Sequence, residues 1–211
     1  VCPSANEMPP QIAKNGEKVK CDSNEPPCIF IYKTTNESHV GELSFFKVYA
    51  GTVKSGMELE NENTGVTEKL NQLFLIEGNK RTNVNELVAG DIGATLKLKN
   101  THVNNTLHAK GKSHELPPIE FPKPNMTIAV ESVKKGEEEK LSIALHQLRD
   151  EDPTLIVEYS PELKQLLIHC QGDMHLAVAR WKIEHLQKIE VKFTKPRIPY
   201  RETIRRMAES N

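Results

Sequence analysis

Val88-Ala-Gly-Asp-Ile-Gly-Ala-Thr-Leu-Lys-Leu98 decides the fold class of the first half of the chain. Gly90-Asp91 supplies a tight turn, and after it Ile92, Ala94, Leu96 and Leu98 alternate with smaller or polar residues, the period of a half-buried strand. The texture is the same upstream, in Val66 to Ile76, Met57-Glu-Leu-Glu60, Gly41-Glu-Leu-Ser-Phe-Phe-Lys-Val-Tyr49 and Cys28-Ile-Phe-Ile-Tyr-Lys33, with Asn, Gly and Ser-Gly between the runs. No long helical stripe interrupts them. Closing such short strands into a barrel protects edges that an open sheet would expose, so an all-β barrel is expected over residues 27–113.

On the amino-terminal side, residues 1–26 are rich in Pro, Asn, Lys and Glu without a sustained period and read as a surface linker with no core. On the other side, Pro117-Pro118 and Phe121-Pro122-Lys123-Pro124 make a stiff, extended joint at residues 114–124, because proline fixes its own φ and disfavours helix in the residue before it. Beyond the joint the expected order is a strand at Met126–Ser132, a helix at Glu137–Arg149, strands at Thr154–Tyr159 and Gln165–Cys170, a helix at Asp173–Lys188 and a strand at Glu190–Phe193. In the first helix Leu141, Ala144, Leu145 and Leu148 share one face, and Glu137, Glu138 and Glu139 favour the positive end of its dipole. The β-α-β-β-α-β order fits a ferredoxin-like split βαβ domain over residues 125–198, leaving 199–211 as a tail or the start of a further domain.

With 211 residues the chain can bury two small cores, and at 37% apolar and 27% charged its composition is that of an ordinary globular protein. No apolar run reaches the ~18 residues that cross a bilayer. A net charge of −1 provides no overall field for phosphate, so any RNA contact must come from local patches. Val1-Cys2-Pro3-Ser4 has no initiator Met, basic region or apolar core of a signal peptide, and reads as cut from something longer. Cys2, Cys21, Cys28 and Cys170 lack the spacing of a zinc site and read as free, reduced thiols.

Gly111-Lys112-Ser113 has the end of a phosphate loop but not its beginning: position 106 is Thr where a glycine is needed, and no strand–loop–helix context surrounds it. The histidines and carboxylates show no acid–base pair. Asp173 and His175, in Gly172-Asp-Met-His-Leu176, lie two apart and so point different ways on a helix, which leaves Asp173 as a cap or dipole partner and His175 as a helix-face residue. Basic residues gather at Lys192, Lys195, Arg197, Arg201, Arg205 and Arg206 and at Lys134-Lys135, where phosphate contact and a solvated face are equally good readings. Trp181 and Phe193 read as core.

His39-Val-Gly-Glu-Leu-Ser-Phe-Phe-Lys-Val-Tyr-Ala-Gly-Thr-Val-Lys-Ser-Gly56 closely resembles the second-domain signature of elongation factor G, H-V-G-K-L-S-F-F-R-V-Y-S-G-T-L-K-S-G. Asn79-Lys-Arg81, Val88-Ala-Gly-Asp-Ile92, Ile119-Glu-Phe-Pro-Lys-Pro124, Asp150-Glu-Asp-Pro-Thr154 and Tyr200-Arg-Glu-Thr-Ile204 resemble the family's landmarks in the family's order, and Pro3-Ser4 and Pro9-Pro10 its linker after the GTPase domain. The resemblance implies a translation-factor β-barrel docking on small-subunit ribosomal RNA, then a ferredoxin-like domain near a decoding-side ribosomal protein. Together they would transmit the state of the parent's GTPase domain to its translocating domains in a cytoplasmic factor. On this resemblance the ribosome or interdomain contacts would fall at His39, Val40, Gly41, Phe45, Lys47, Tyr49, Lys54, Asp173, His175 and Arg201. GTP and Mg2+ would belong to the parent, with no catalytic, nucleotide or metal site and no membrane partner in this chain. Ala177-Val-Ala-Arg-Trp181 and Cys170-Gln171 depart from the family pattern. They keep a divergent GTPase-independent paralogue, a tetracycline-resistance ribosomal protection protein and a non-ribosomal scaffold in play.

Overall fold

Short strands joined by tight turns make up most of the computed structural model, which describes residues 2–37 and 41–201. The chain divides into two compact units, residues 1–121 with 150–153, and residues 122–149 with 154–211.

The first unit opens with a small antiparallel hairpin, β1 (Gln11–Ile12) and β2 (Lys18–Val19). Ten strands follow: β3 (Cys28–Glu37), β4 (Gly41–Ala50), β5 (Thr52–Lys54), β6 (Glu58–Asn61), β7 (Thr67–Lys69), β8 (Leu73–Glu77), β9 (Lys80–Val84), β10 (Glu86–Val88), β11 (Ile92–Leu96) and β12 (Thr106–His108). Eight of them form one antiparallel sheet in the order β7-β6-β12-β3-β4-β11-β8-β9, and β5 pairs with β10. This is the expected β-barrel, with Ile29, Ile31, Phe46, Val48, Leu59, Leu73 and Leu107 inside it.

Alternation in β11 marks a different face from the one the sequence suggests. Ala94 and Leu96 pack outside the barrel core in a satellite cluster with Leu43 and Phe74, and Ile92 is 55% exposed. The inner position belongs to Gly93, opposite Phe46 in the ladder, where a Cβ would stand 2.2 Å from Leu87 Cδ1. Large side chains from neighbouring strands fill the barrel over the glycine, so the apolar residues of β11 are left for the outside.

The amino-terminal segment, expected to lack a core, contributes one. Ala13 and Val19 are buried with Phe30, Ala50 and Leu116. Polar bonds clasp the segment to residues 113–116: Lys14 N–H donates to Glu115 O at 2.7 Å, the Lys14 ammonium meets Glu115 at 2.5 Å, and Asn15 Nδ2 donates to Ser113 O at 2.7 Å. Two-residue strands are too short to leave a period in the sequence.

The second unit holds β13 (Met126–Ser132), α1 (Glu138–Glu151), β14 (Ile156–Ser160), β15 (Gln165–Cys170), α2 (Asp173–Trp181) and β16 (Val191–Thr194). Its antiparallel sheet runs β14-β15-β13-β16, the ferredoxin-like order. Leu141, Ala144, Leu145 and Leu148 of α1 are buried against Val130 and Ile168, each leucine stabilising by about 1.5–3 kcal/mol. The second helix does not run unbroken to Lys188; past Trp181 it widens into a π-helical segment, Lys182–Leu186, which keeps Ile183 in the core. Among the described residues no helix is long and apolar enough to cross a membrane.

Candidate interaction surface

The β3–β4 pair carries the most distinctive surface of the first unit, and a bulge creates it. The register shifts between Ile31, opposite Phe46, and Lys33, opposite Phe45. The extra residue is Tyr32, so Tyr32 and Lys33 both reach Phe45 on the outside of the barrel: the two rings lie 6.4 Å apart, and Lys33 Nζ stands 5.3 Å from the Phe45 centroid. Two positions along β4 the pattern repeats, with Lys47 Nζ 5.0 Å from the centroid of Tyr49, whose ring meets Phe30 edge-on at 6.4 Å and 89°. Burial raises the phenol pKa values of Tyr32 and Tyr49. It drives the thiol of neighbouring Cys28 to about 12, which makes that thiol unreactive. Phe30, Tyr32, Lys47 and Tyr49 line a groove of about 280 Å³ whose far wall is Leu116, Pro117 and Ile119.

Glycines shape the ends of β4. Gly41 opens it with φ +93°, and Gly51 follows it with φ +74°, where a Cβ would lie 2.5 Å from Glu25 O and Pro27 N. Gly51 N–H donates to Asp22 O at 2.8 Å and the Thr52 hydroxyl donates to Ser23 O at 3.2 Å, so this turn binds the incoming chain beside the glycine. Lys54 pairs with Glu86 at 3.9 Å in an exposed ion pair worth about 0–1 kcal/mol. His39 and Val40 lie outside the described residues.

The Gly111-Lys112-Ser113 stretch is occupied by acid rather than open to phosphate. Ser113 Oγ donates to Glu62 at 2.7 Å, and buried His108 meets the other Glu62 oxygen through Nε2 at 2.6 Å. The Ser113 hydrogen bond first, and His108 second, hold the Glu62 carboxyl below its ordinary range.

In the second unit Asp173 is the exposed first residue of α2, while half-buried His175 turns back to accept the Gln171 N–H at Nδ1, 3.2 Å away. Arg201 reaches Glu162 at 3.2 Å. Lys192, Lys195 and Arg197 are exposed, Arg197 being tied to Gln165 through its backbone N–H at 2.8 Å; Arg205 and Arg206 lie outside the described residues. Trp181 is not core: it is 53% exposed and stacks on His185, ring centroids 5.2 Å apart, because the residues that bury this helix are Ala179 and Ile183. Phe193 is half-buried beneath Arg180.

Two family profiles match the chain in sequence order: elongation factor G domain 2 over residues 26–110 and elongation factor G domain III over residues 121–195. The chain carries domains 2 and III of elongation factor G. It is a segment of an elongation factor G-like translation factor. The crystal structure of a protein from Thermus thermophilus is similar to it at 30% identity and TM-score 0.74, over 84% of this chain and 27% of that one. The chain therefore spans little more than a quarter of the solved structure it matches.

Within this elongation factor G domain 2, sequence reasoning named Phe45, Lys47 and Tyr49 but missed their partners Phe30, Tyr32 and Lys33, as well as Leu116 beyond the profile's end. The signal was available: Phe30 and Tyr32 alternate in the same sense as Phe45 and Tyr49, in a chain whose aromatic content is only 5%. What the sequence hides is the bulge, which puts two consecutive residues on one face.

Proposed function

We propose that this chain is the ribosome-binding and interdomain-coupling segment of a cytoplasmic elongation factor G-like GTPase that promotes tRNA–mRNA translocation. One observation carries the reading: domain 2 and domain III of the family follow one another in order. In this reading the parent's GTPase domain holds GTP and Mg2+, and its translocating domains are the intramolecular partners of this segment. Domain 2 docks on small-subunit ribosomal RNA, and domain III lies near a ribosomal protein. Gly41, Phe45, Lys47, Tyr49 and Lys54 are the domain 2 contact positions; Asp173, His175 and Arg201 are those of domain III. His175, fixed to its own helix start, keeps the turn before α2 in shape for such a contact.

The experiment is GTP turnover by the full-length parent with and without ribosomes, with the isolated chain as the control that turns over nothing. Strong stimulation by ribosomes supports a translational GTPase with this segment as its coupling module. Ribosome binding without turnover supports a divergent, GTPase-independent factor, and no binding overturns the ribosomal reading.

A further inference from the structure

Asn15-Gly16 is the one Asn-Gly pair in the sequence, and it sits in the tight turn between β1 and β2. Glycine after asparagine gives the backbone nitrogen its easiest approach to the side-chain amide, because no Cβ obstructs it and the backbone has its widest freedom. Gly16 takes φ +83°, with open space where a Cβ would stand. In this fold both reacting groups are tied. Gly16 N–H, the nucleophile, donates to Ala13 O at 2.8 Å. The Asn15 amide, the electrophile, is held at both ends: Nδ2 donates to Ser113 O at 2.7 Å, and Oδ1 accepts the Glu17 N–H at 3.0 Å. Next to it Lys14 N–H donates to Glu115 O at 2.7 Å, so the turn is freed only when the clasp to residues 113–116 opens.

We propose that Asn15 is a site of spontaneous deamidation gated by this clasp. With the clasp open, Gly16 N gives its proton to a solvent base and attacks Asn15 Cγ. The new N–Cγ bond closes a succinimide as the Cγ–Nδ2 bond breaks, and Nδ2 takes up a proton and leaves as ammonia. Water, the one co-reactant, then opens the ring. Cleavage at Cγ leaves aspartate in place of Asn15, and cleavage at the backbone carbonyl leaves isoaspartate. Neither product can rebuild the clasp. An oxygen stands where Nδ2 stood, so it and the Ser113 carbonyl are two acceptors with no hydrogen between them. Isoaspartate also adds a methylene to the backbone of a turn that joins strands of two residues each. Loss of ammonia makes the change one-way, and it loosens the segment that buries Ala13 and Val19. The modification is independent of ribosome binding.

The test is peptide mapping by mass spectrometry of the whole chain kept in mildly alkaline buffer, one sample folded and one unfolded in guanidinium chloride. Amide hydrogen exchange of the folded chain measures separately how far Lys14 N–H is protected. The proposal requires conversion of Asn15 in the unfolded chain ahead of its other asparagines. It also requires a folded rate lower by the factor that protects Lys14 N–H, about tenfold or more. Asn15→Asp changes an exposed side chain, and its melting temperature checks that it is folded. This variant should exchange Lys14 N–H faster by about tenfold while the strands of the barrel keep their protection. The proposal is overturned if Asn15 stays intact when unfolded, if both samples convert at equal rates, if the folded rate follows the exchange of the barrel strands instead of Lys14, or if Asn15→Asp leaves Lys14 unchanged.

Discussion

Gly51 lies against the backbone of Pro27: a Cβ on the glycine would stand 2.5 Å from the proline nitrogen, and its φ is +74°. Two independent demands, a left-handed backbone and the close passage of the chain entering β3, meet at one residue of the family signature. Neither neighbour is a flexible side chain that could move aside. Gly51→Ala is therefore expected to destabilise the first unit by about 3 kcal/mol or more, read as a lower urea midpoint by circular dichroism. A loss under about 0.5 kcal/mol would mean that the entering chain is not held there.

Glu68, buried in the middle of β7, is an interior carboxylate that organises a loop. It accepts the backbone N–H of Lys99 at 3.0 Å and of Asn100 at 2.7 Å, and the Thr101 hydroxyl at 3.1 Å. Glu68→Ala leaves these donors without their acceptor, and about 1–3 kcal/mol of stability is expected to go with it. Amide hydrogen exchange at Lys99 and Asn100 should rise in the variant ahead of the barrel strands.

Acid sensitivity follows from Glu62. Its carboxyl pKa is lowered in the folded state from the ordinary 4.5, chiefly by the Ser113 hydrogen bond. A depressed carboxyl stabilises the fold above the unfolded value and loses that contribution as pH falls through the folded one. Ser113→Ala should thus lower stability near neutral pH and match wild type progressively better as pH drops below 4.5. Urea denaturation of both proteins at several pH values checks the sign; a gap that widens in acid would contradict it.

Trp181, the one tryptophan of the chain, is a clean probe of its own surroundings. Half-exposed on α2, it should emit as a solvated indole and be quenched readily by acrylamide. Trp181→Ala should cost less than about 1 kcal/mol, whereas Leu145→Ala, at a position with 0% exposure, should cost about 2–5 kcal/mol.

The helices and sheet of domain III were readable in the sequence because α1 shows an uninterrupted 3.6-residue face from Leu141 to Leu148, and β13 and β15 are bounded by turn residues. Trp181 misled because size and apolarity suggest burial, while which face of α2 meets the sheet is settled by the small Ala179 and by the π turn at Lys182–Leu186. In domain 2 the longer apolar strands were legible, while the short β5 and β12 and the polar β9 were not, and neither was the direction of the side chains. Two register shifts in the β3–β4 ladder, at Tyr32 and at Tyr49, and one glycine at position 93 redirect the faces, and a period-2 reading carries no information about them. The burial of Ala13 and Val19 was hidden for a simpler reason: a single apolar residue in a polar stretch has no pattern.

Ribosome binding by the factor to which this segment belongs underlies the proposed function. Sedimentation of the full-length parent through a sucrose cushion with ribosomes from its own source, beside the variant Lys47→Glu, tests it most directly. The parent is expected to pellet with ribosomes, and reversing the charge at Lys47 to weaken the association by about tenfold. A folded parent that stays in the supernatant at every ribosome concentration would contradict it.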